Sequence, residues 1–188
     1  MINHPFNKKR QKGLSIIEIV VTIVILAIAL VAVAGMVGLG LTQSSNTLIE
    51  TRAVALGYSY LDEILGRRYD ERTPRSRTPP CFGFVGMGRC TAEANFGLDG
   101  GETRNTYDDV DDFHALLEGA GVPGTPLEDA EGNPRTGYEN FRVEVNVRYA
   151  GDDAVPGLTE TDAKLVTVTV EHTILNLSWD FSAYRGNF

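Results

Sequence analysis

The sequence predicts an α+β chain, with one long N-terminal helix packed on an antiparallel β-sheet head. Three observations predict it. Between Ile19 and Leu41 lie 23 residues of which only Thr22 has a polar side chain. Beyond that run, Ile49, Ala53, Leu56, Tyr60 and Ile64 recur at helical spacing, the signature of an amphipathic helix. After Gly137 the period changes to two, which is the signature of half-buried strands.

The first half of the helix, residues 14–42, is long enough to cross a bilayer, which takes about 20 apolar residues. Its flanks orient it. Lys8, Lys9, Arg10 and Lys12 precede it, and the next charge after it is Glu50. Positive-inside reasoning places residues 1–13 in the cytoplasm and everything after about residue 42 on the far side of the membrane. A conventional secretory signal has an apolar core of about 7–15 residues and a small-residue cleavage box. This run is longer and has no such box, so conventional cleavage is not expected. Glu18 sits at the edge of the run, either at headgroup depth without a partner or paired, since a carboxylate deeper in lipid is costly. Gly35, Gly38 and Gly40 interrupt the segment, each costing about 1 kcal/mol against Ala in a helix interior. They serve either close packing or a weak point where the helix bends. The second half, residues 43–70, carries the apolar stripe, with Glu50, Arg52, Asp62 and Glu63 mainly off it.

Residues 71–188 form the head. The stretch 71–105 holds Thr73-Pro74, Pro79-Pro80 and six glycines and reads as loop. Cys81 and Cys90 lie within it, outside the cytoplasm, so a disulfide is the default reading, worth about 2–3 kcal/mol by the chain-entropy argument. Residues 67–89 carry six Arg against Asp70 and Glu71, whereas residues 90–134 carry eleven acids against Arg104 alone. These patches either meet within one chain, stand in solvent, or meet between subunits. The densest acidic point is Asp108-Asp109-Val110-Asp111-Asp112. Asp108, Asp109, Asp111 and Asp112 read either as acids at the N-terminus of a short helix whose Phe113, Leu116 and Leu117 pack inward, or as Ca²⁺ ligands. No other cofactor is expected.

Three strands follow. Phe141, Val143, Val145, Val147 and Tyr149 alternate with Arg142, Glu144, Asn146 and Arg148. Residues 164–171 repeat the pattern with Val166, Val168 and Val170, and Leu175, Leu177, Trp179 and Phe181 give a third strand. A long connection through Gly151, Pro156 and Gly157 joins the first two, and a tight one at His172-Thr173 precedes the third.

Composition removes several functions. The formal net charge is −8, and the four basic residues of the first 13 are unmatched by any acid, so the remainder is more acidic still. Such a body is a poor partner for nucleic acid. Two cysteines are too few for a disulfide-dense scaffold or a cysteine-built zinc site. No enzyme motif is present: His114 and His172 lack metal-ligand spacing, no G-x-S-x-G elbow occurs, and Gly119-x-Gly121-x-x-Gly124, with Pro123 inside it and no strand expected before it, reads as a turn.

The stretch Gly13-Leu14-Ser15-Ile16-Ile17-Glu18, behind a short basic leader and ahead of the apolar run, resembles the type IV prepilin signature. The resemblance implies a type IV pilin-like fold. It also implies cleavage by a prepilin peptidase between Gly13 and Leu14, and N-methylation of Leu14, where most members have Phe. Leu14 would otherwise present a free α-amine, largely cationic at neutral pH. In a filament core that amine and Glu18 of a neighbouring subunit would satisfy each other as an assembly salt bridge. Tyr60-Leu61-Asp62-Glu63-Ile64-Leu65, the acidic segment and the terminal Phe181-Ser182-Ala183-Tyr184-Arg185-Gly186-Asn187-Phe188 further resemble minor pilins of the mannose-sensitive haemagglutinin (MSHA) type IV pilus system. That implies an inner-membrane, single-pass subunit with a periplasmic head, surrounded by lipid before it enters the pilus. Its implied partners are a major pilin, other minor pilins and the inner-membrane assembly platform. Two other functions share parts of this sequence: a minor pseudopilin of a type II secretion system, and a membrane-anchored module binding Ca²⁺ or a glycan.

Overall fold

The computed structural model describes Gly13, residues 15–73, 80–82 and 88–188, with the side chains of residues 36–45 left out of the description. The leader up to residue 12 and the methylation site Leu14 lie outside the described residues. The chain divides into two compact units, residues 1–48 and 49–188.

In the first unit the principal element is the beginning of helix α1, Ile16–Leu65. It contains Gly35, Gly38 and Gly40 without a break in helical assignment. Ile16–Gly35 is long and apolar enough to cross a membrane, and none of it is buried by the rest of the chain. In a helix of this composition, apolar surface left bare all round is suited to lipid or to other apolar helices.

The second unit is the head. Its sheet is antiparallel with strand order β1-β2-β3-β4, where β1 is Leu117–Gly119, β2 Phe141–Tyr149, β3 Ala163–His172 and β4 Leu177–Gly186. The alternation predicted for β2 and β3 is observed, with Val143 opposite Val170, Val145 opposite Val168 and Val147 opposite Val166. All six valines are buried, each contributing roughly 1.5–3 kcal/mol relative to exposure. The predicted helical stripe meets them: Ala53, Leu56, Tyr60 and Ile64 are buried in the same core, with Ile49 partly covered. The opposite face of the sheet is polar, carrying an Arg142–Glu171 ion pair and a Thr169–Asp180 hydrogen bond between neighbouring strands.

Four expectations need correction. The third predicted strand starts at Leu177 rather than Leu175, because residues 173–176 make the turn, with Asn176 in the left-handed region at φ 51° that Asn tolerates. The inward helix expected after the acidic segment is a single 3₁₀ turn, Asp111–Phe113. Phe113 is buried, but Leu117 is exposed and belongs to β1. β1 itself was not expected. It pairs with β2 through Leu117↔Glu144 and Gly119↔Arg142, so the Gly119-x-Gly121-x-x-Gly124 turn does follow a strand. All three of its glycines have positive φ, and no helix follows.

Gly57 explains how β4 reaches the helix. A Cβ there would collide with the Phe181 ring, so the missing side chain gives Phe181 its seat. Alanine at a helical position gains about 1 kcal/mol over glycine, whereas overpacking costs about 1–3 kcal/mol. Gly57→Ala should therefore lower stability by up to about 2 kcal/mol, measured by thermal unfolding. A rise in stability would show that Phe181 can move aside at no cost.

Candidate functional site: the N-terminal helix and the buried charges of the head

Gly13 is exposed, and Ser15 opens α1 by accepting the N–H groups of Glu18 (3.0 Å) and Ile19 (3.2 Å) at its carbonyl. Glu18 lies in the first helical turn, where a carboxylate is favoured by the helix dipole. The Thr22 hydroxyl donates to the Glu18 carbonyl, so the one polar side chain in the apolar run is satisfied by its own helix. Ile16 and Ile17 beside Glu18 are 82% and 72% exposed. The segment thus presents one carboxylate at the start of an otherwise apolar, uncovered helix.

The head holds its charges differently. Cys81 and Cys90 form a disulfide with a Cα–Cα distance of 4.9 Å, and the Asn187 amide donates to the Cys81 carbonyl at 2.7 Å and the Thr161 carbonyl at 3.0 Å. Among the described residues the basic and acidic stretches are joined by the Arg68–Asp108 pair, and Arg68 also pairs with Glu71 of its own stretch. Arg104 donates to Glu63 through two nitrogens, at 2.5 and 3.0 Å, and to Glu118 at 2.8 Å. The Tyr60 hydroxyl donates to the other Glu118 oxygen at 2.6 Å. Burial, with the adjacent Glu118, pushes the Tyr60 hydroxyl well above its ordinary pKa. Burial alone would lower Arg104, but Glu63 and Glu118 hold it above its usual value.

The four aspartates do not form one ligand shell. Asp109 accepts the N–H groups of Asp111 (2.8 Å) and Asp112 (3.3 Å), and Asp112 accepts those of Asp108 (2.9 Å) and Asp109 (3.1 Å). Asp111 instead accepts from Lys164 Nζ at 2.5 Å. Among the described residues, acidic oxygens converge as Glu71/Asp108/Asp109 and as Glu102/Asp108/Asp112, and Asp111 joins neither group. The first group already has its cation in Arg68. Of the four, Asp109 and Asp112 accept backbone N–H groups of the tight turn, but the turn is a single 3₁₀ turn whose N-cap, Val110, makes no side-chain cap bond.

Lys164, Glu63, Glu118 and Arg104 were not singled out by the sequence. One signal was available for Lys164, because it shares the parity of Val166, Val168 and Val170 and so points inward with them. His114 accepts the Val147 N–H at 3.3 Å, and His172 accepts that of Leu175 at 3.3 Å.

Burial, with the neighbouring Asp111 next, pushes the Asp109 carboxyl up to about 9. An unfolded Asp ionises near pH 3.9. Between those values the folded chain holds a proton that the unfolded chain has lost, so raising pH favours unfolding. The stabilisation is fully present below about pH 3.9 and is lost as pH rises toward about 9. Asp109→Asn, which keeps the oxygen that accepts the two N–H groups, should flatten the fall in stability across this window. An unchanged slope in denaturation curves from pH 5 to 9 would assign the dependence to other groups.

Comparison with known families finds one match: residues 8–34 fit the prokaryotic N-terminal methylation motif. Neither a curated protein nor a solved structure matches the chain. The match covers the basic residues of the leader, Gly13, Leu14, Glu18 and most of the exposed apolar helix. It supports a type IV pilin- or pseudopilin-like chain, for which an α+β head behind an apolar N-terminal helix is the consistent architecture.

Proposed function

We propose that this chain is a minor, low-abundance type IV pilin that acts in assembly of an MSHA-type pilus, in the manner of the minor pilin MshD. The observation that carries the reading is the methylation motif over residues 8–34, with Glu18 placed at the start of an apolar helix that its own chain leaves uncovered. A prepilin peptidase cuts between Gly13 and Leu14 on the cytoplasmic face, and the new Leu14 amine is methylated. The helix waits in inner-membrane lipid with the head in the periplasm, then passes through the assembly platform into a filament of major pilin and other minor pilins. The role is structural, with no catalytic step assigned to any residue. The internal likeness at Tyr60–Leu65 and Phe181–Phe188 favours this system over the type II secretion pseudopilins, which share the signal.

The test is mass spectrometry of sheared, purified surface filaments from cells that express the chain. The expected result is a substoichiometric peptide beginning at N-methylated Leu14. A chain that retains residues 1–13, or one found with a secretion complex and absent from filaments, would overturn the proposal.

A further inference from the structure

The head contains an ion pair placed where charge is least welcome. Lys164, near the start of β3, is fully buried, and Asp111 is 3% exposed. The Lys164 ammonium is 2.5 Å from Asp111 Oδ1 and 2.6 Å from the Tyr69 carbonyl. Nζ also lies 4.6 Å from the Tyr69 ring centre, 4.8 Å from that of Phe96 and 5.5 Å from that of Tyr149. Asp70 is a second carboxylate at 3.6 Å. Its oxygens, however, already hold the N–H groups of Arg72 and Thr91 and the Thr91 hydroxyl. Asp111 is therefore the carboxyl that faces the amine most directly. Its carbon lies one C–O bond beyond Oδ1, which places it no further than about 3.7 Å from Nζ, close to the separation of a near-attack geometry.

We infer that Lys164 and Asp111 condense into an intramolecular amide, a covalent cross-link between β3 and the 3₁₀ turn at Asp111–Phe113. The step needs no co-reactant. One ammonium proton passes along the existing hydrogen bond to the Asp111 carboxylate, leaving a neutral amine and a neutral acid. The Nζ lone pair attacks Cγ to give a tetrahedral adduct. The C–OH bond then breaks, and the departing hydroxyl takes a second proton from nitrogen and leaves as water. Nitrogen keeps one hydrogen, Cγ keeps one oxygen, and nothing is oxidised or reduced.

Three features favour it. Ions removed from water keep a desolvation cost that pairing only partly returns, and condensation abolishes both charges at once. The partners are held together by the fold, where effective molarities of about 10⁵–10⁸ M are reached by well-oriented groups. The three aromatic rings exclude the water that would reverse the reaction. Asp109 supplies the acid, since its side chain is hydrogen-bonded to that of Asp111 and burial keeps it protonated. A proton shared from Asp109 polarises the Asp111 carboxyl as charge develops on oxygen.

The test is peptide mapping of the full-length chain, reduced, denatured and digested with trypsin. The expected result is a branched peptide joining Lys164 to Asp111, lighter than its two parts by one water and uncut after Lys164. Wild-type chain giving only linear peptides, with cleavage after Lys164, would overturn the proposal, as would a branch from Lys164 to Asp70. Lys164→Arg retains the charge without an amine able to form this amide and should give linear peptides only. Asp109→Asn should slow appearance of the branch in newly made protein by about 10²–10⁴-fold, and an unchanged rate would remove Asp109 from the step.

Discussion

Replacing Arg104 with alanine should lower the stability of the head by about 3–5 kcal/mol, the cost of leaving buried charges without their partner. The side chains of Glu63 and Glu118 are each 4% exposed and that of Arg104 10%, so water replaces little of what is lost. Three of the guanidinium N–H groups bond to these two carboxylates, and the same group lies 5.1 Å from the Phe113 ring centre and 5.6 Å from that of Tyr107. Truncation therefore removes packing as well as charge. Arg135, 4.0 Å from Glu63, offers only partial compensation. Chemical denaturation followed through Trp179, the single tryptophan, which packs at the edge of the core, measures the effect. The companion result separates charge from shape. Replacing Arg104, Glu63 and Glu118 together by Met, Leu and Leu should cost less than Arg104→Ala alone, because neither buried carboxylate is then left without its cation, although the Tyr60 hydroxyl loses its acceptor and Arg135 a partner. A loss below about 1 kcal/mol for Arg104→Ala would fall in the range of exposed pairs and would remove the cluster from the list of what ties α1 to β1.

How much of this was readable from the residues depends on whether polarity and position agreed. β2 and β3 were legible because the inward positions, Lys164 and His172 apart, are valine or aromatic residues and each outward one on β2 is polar. The stripe on α1 was legible for the same reason at a different period. Glu63 misled because it stands off the stripe and yet is buried, drawn in by Arg104 from a loop distant in sequence. β1 was illegible for a related reason. It is three residues long, and its polarity is inverted, with apolar Leu117 outward and Glu118 inward toward Tyr60 and Arg104. No local pattern announces a strand whose inward residue is charged. Among the aspartates the sequence showed density but not destination. Asp111 differs from its three neighbours only because the fold brings Lys164 to it from 53 residues away. The disulfide needed no such information, since compartment and a short spacing sufficed.

On the proposed assembly role, Glu18→Ala should reduce incorporation of the subunit into filaments by about a hundredfold or more, while leaving the folding of the head unchanged. The argument starts from environment. Before assembly Glu18 lies at the start of the apolar helix, where a carboxylate near the membrane interface costs little. Inside a bundle of such helices that solvation is gone, and the carboxylate needs a cation. The chain supplies few candidates there, since from Leu14 to Ile49 it has no Lys or Arg, and the α-amine created by cleavage at Gly13 is the one positive group that every processed subunit brings to that depth. The amine of one subunit meeting Glu18 of another makes a buried pair whose disruption costs about 3–5 kcal/mol, and each 1.4 kcal/mol is tenfold in an equilibrium. Glu18→Gln separates charge from hydrogen bonding: it still accepts a hydrogen bond from the amine but leaves the cation unbalanced, so it should incorporate poorly too. Quantifying the subunit against the major pilin in cross-linked, purified filaments reads both variants, with membrane levels of the unassembled chain as the control for folding and insertion. Normal stoichiometry for Glu18→Ala would mean that the amine finds another partner, and the carboxylate would then have no part in selecting the subunit's register.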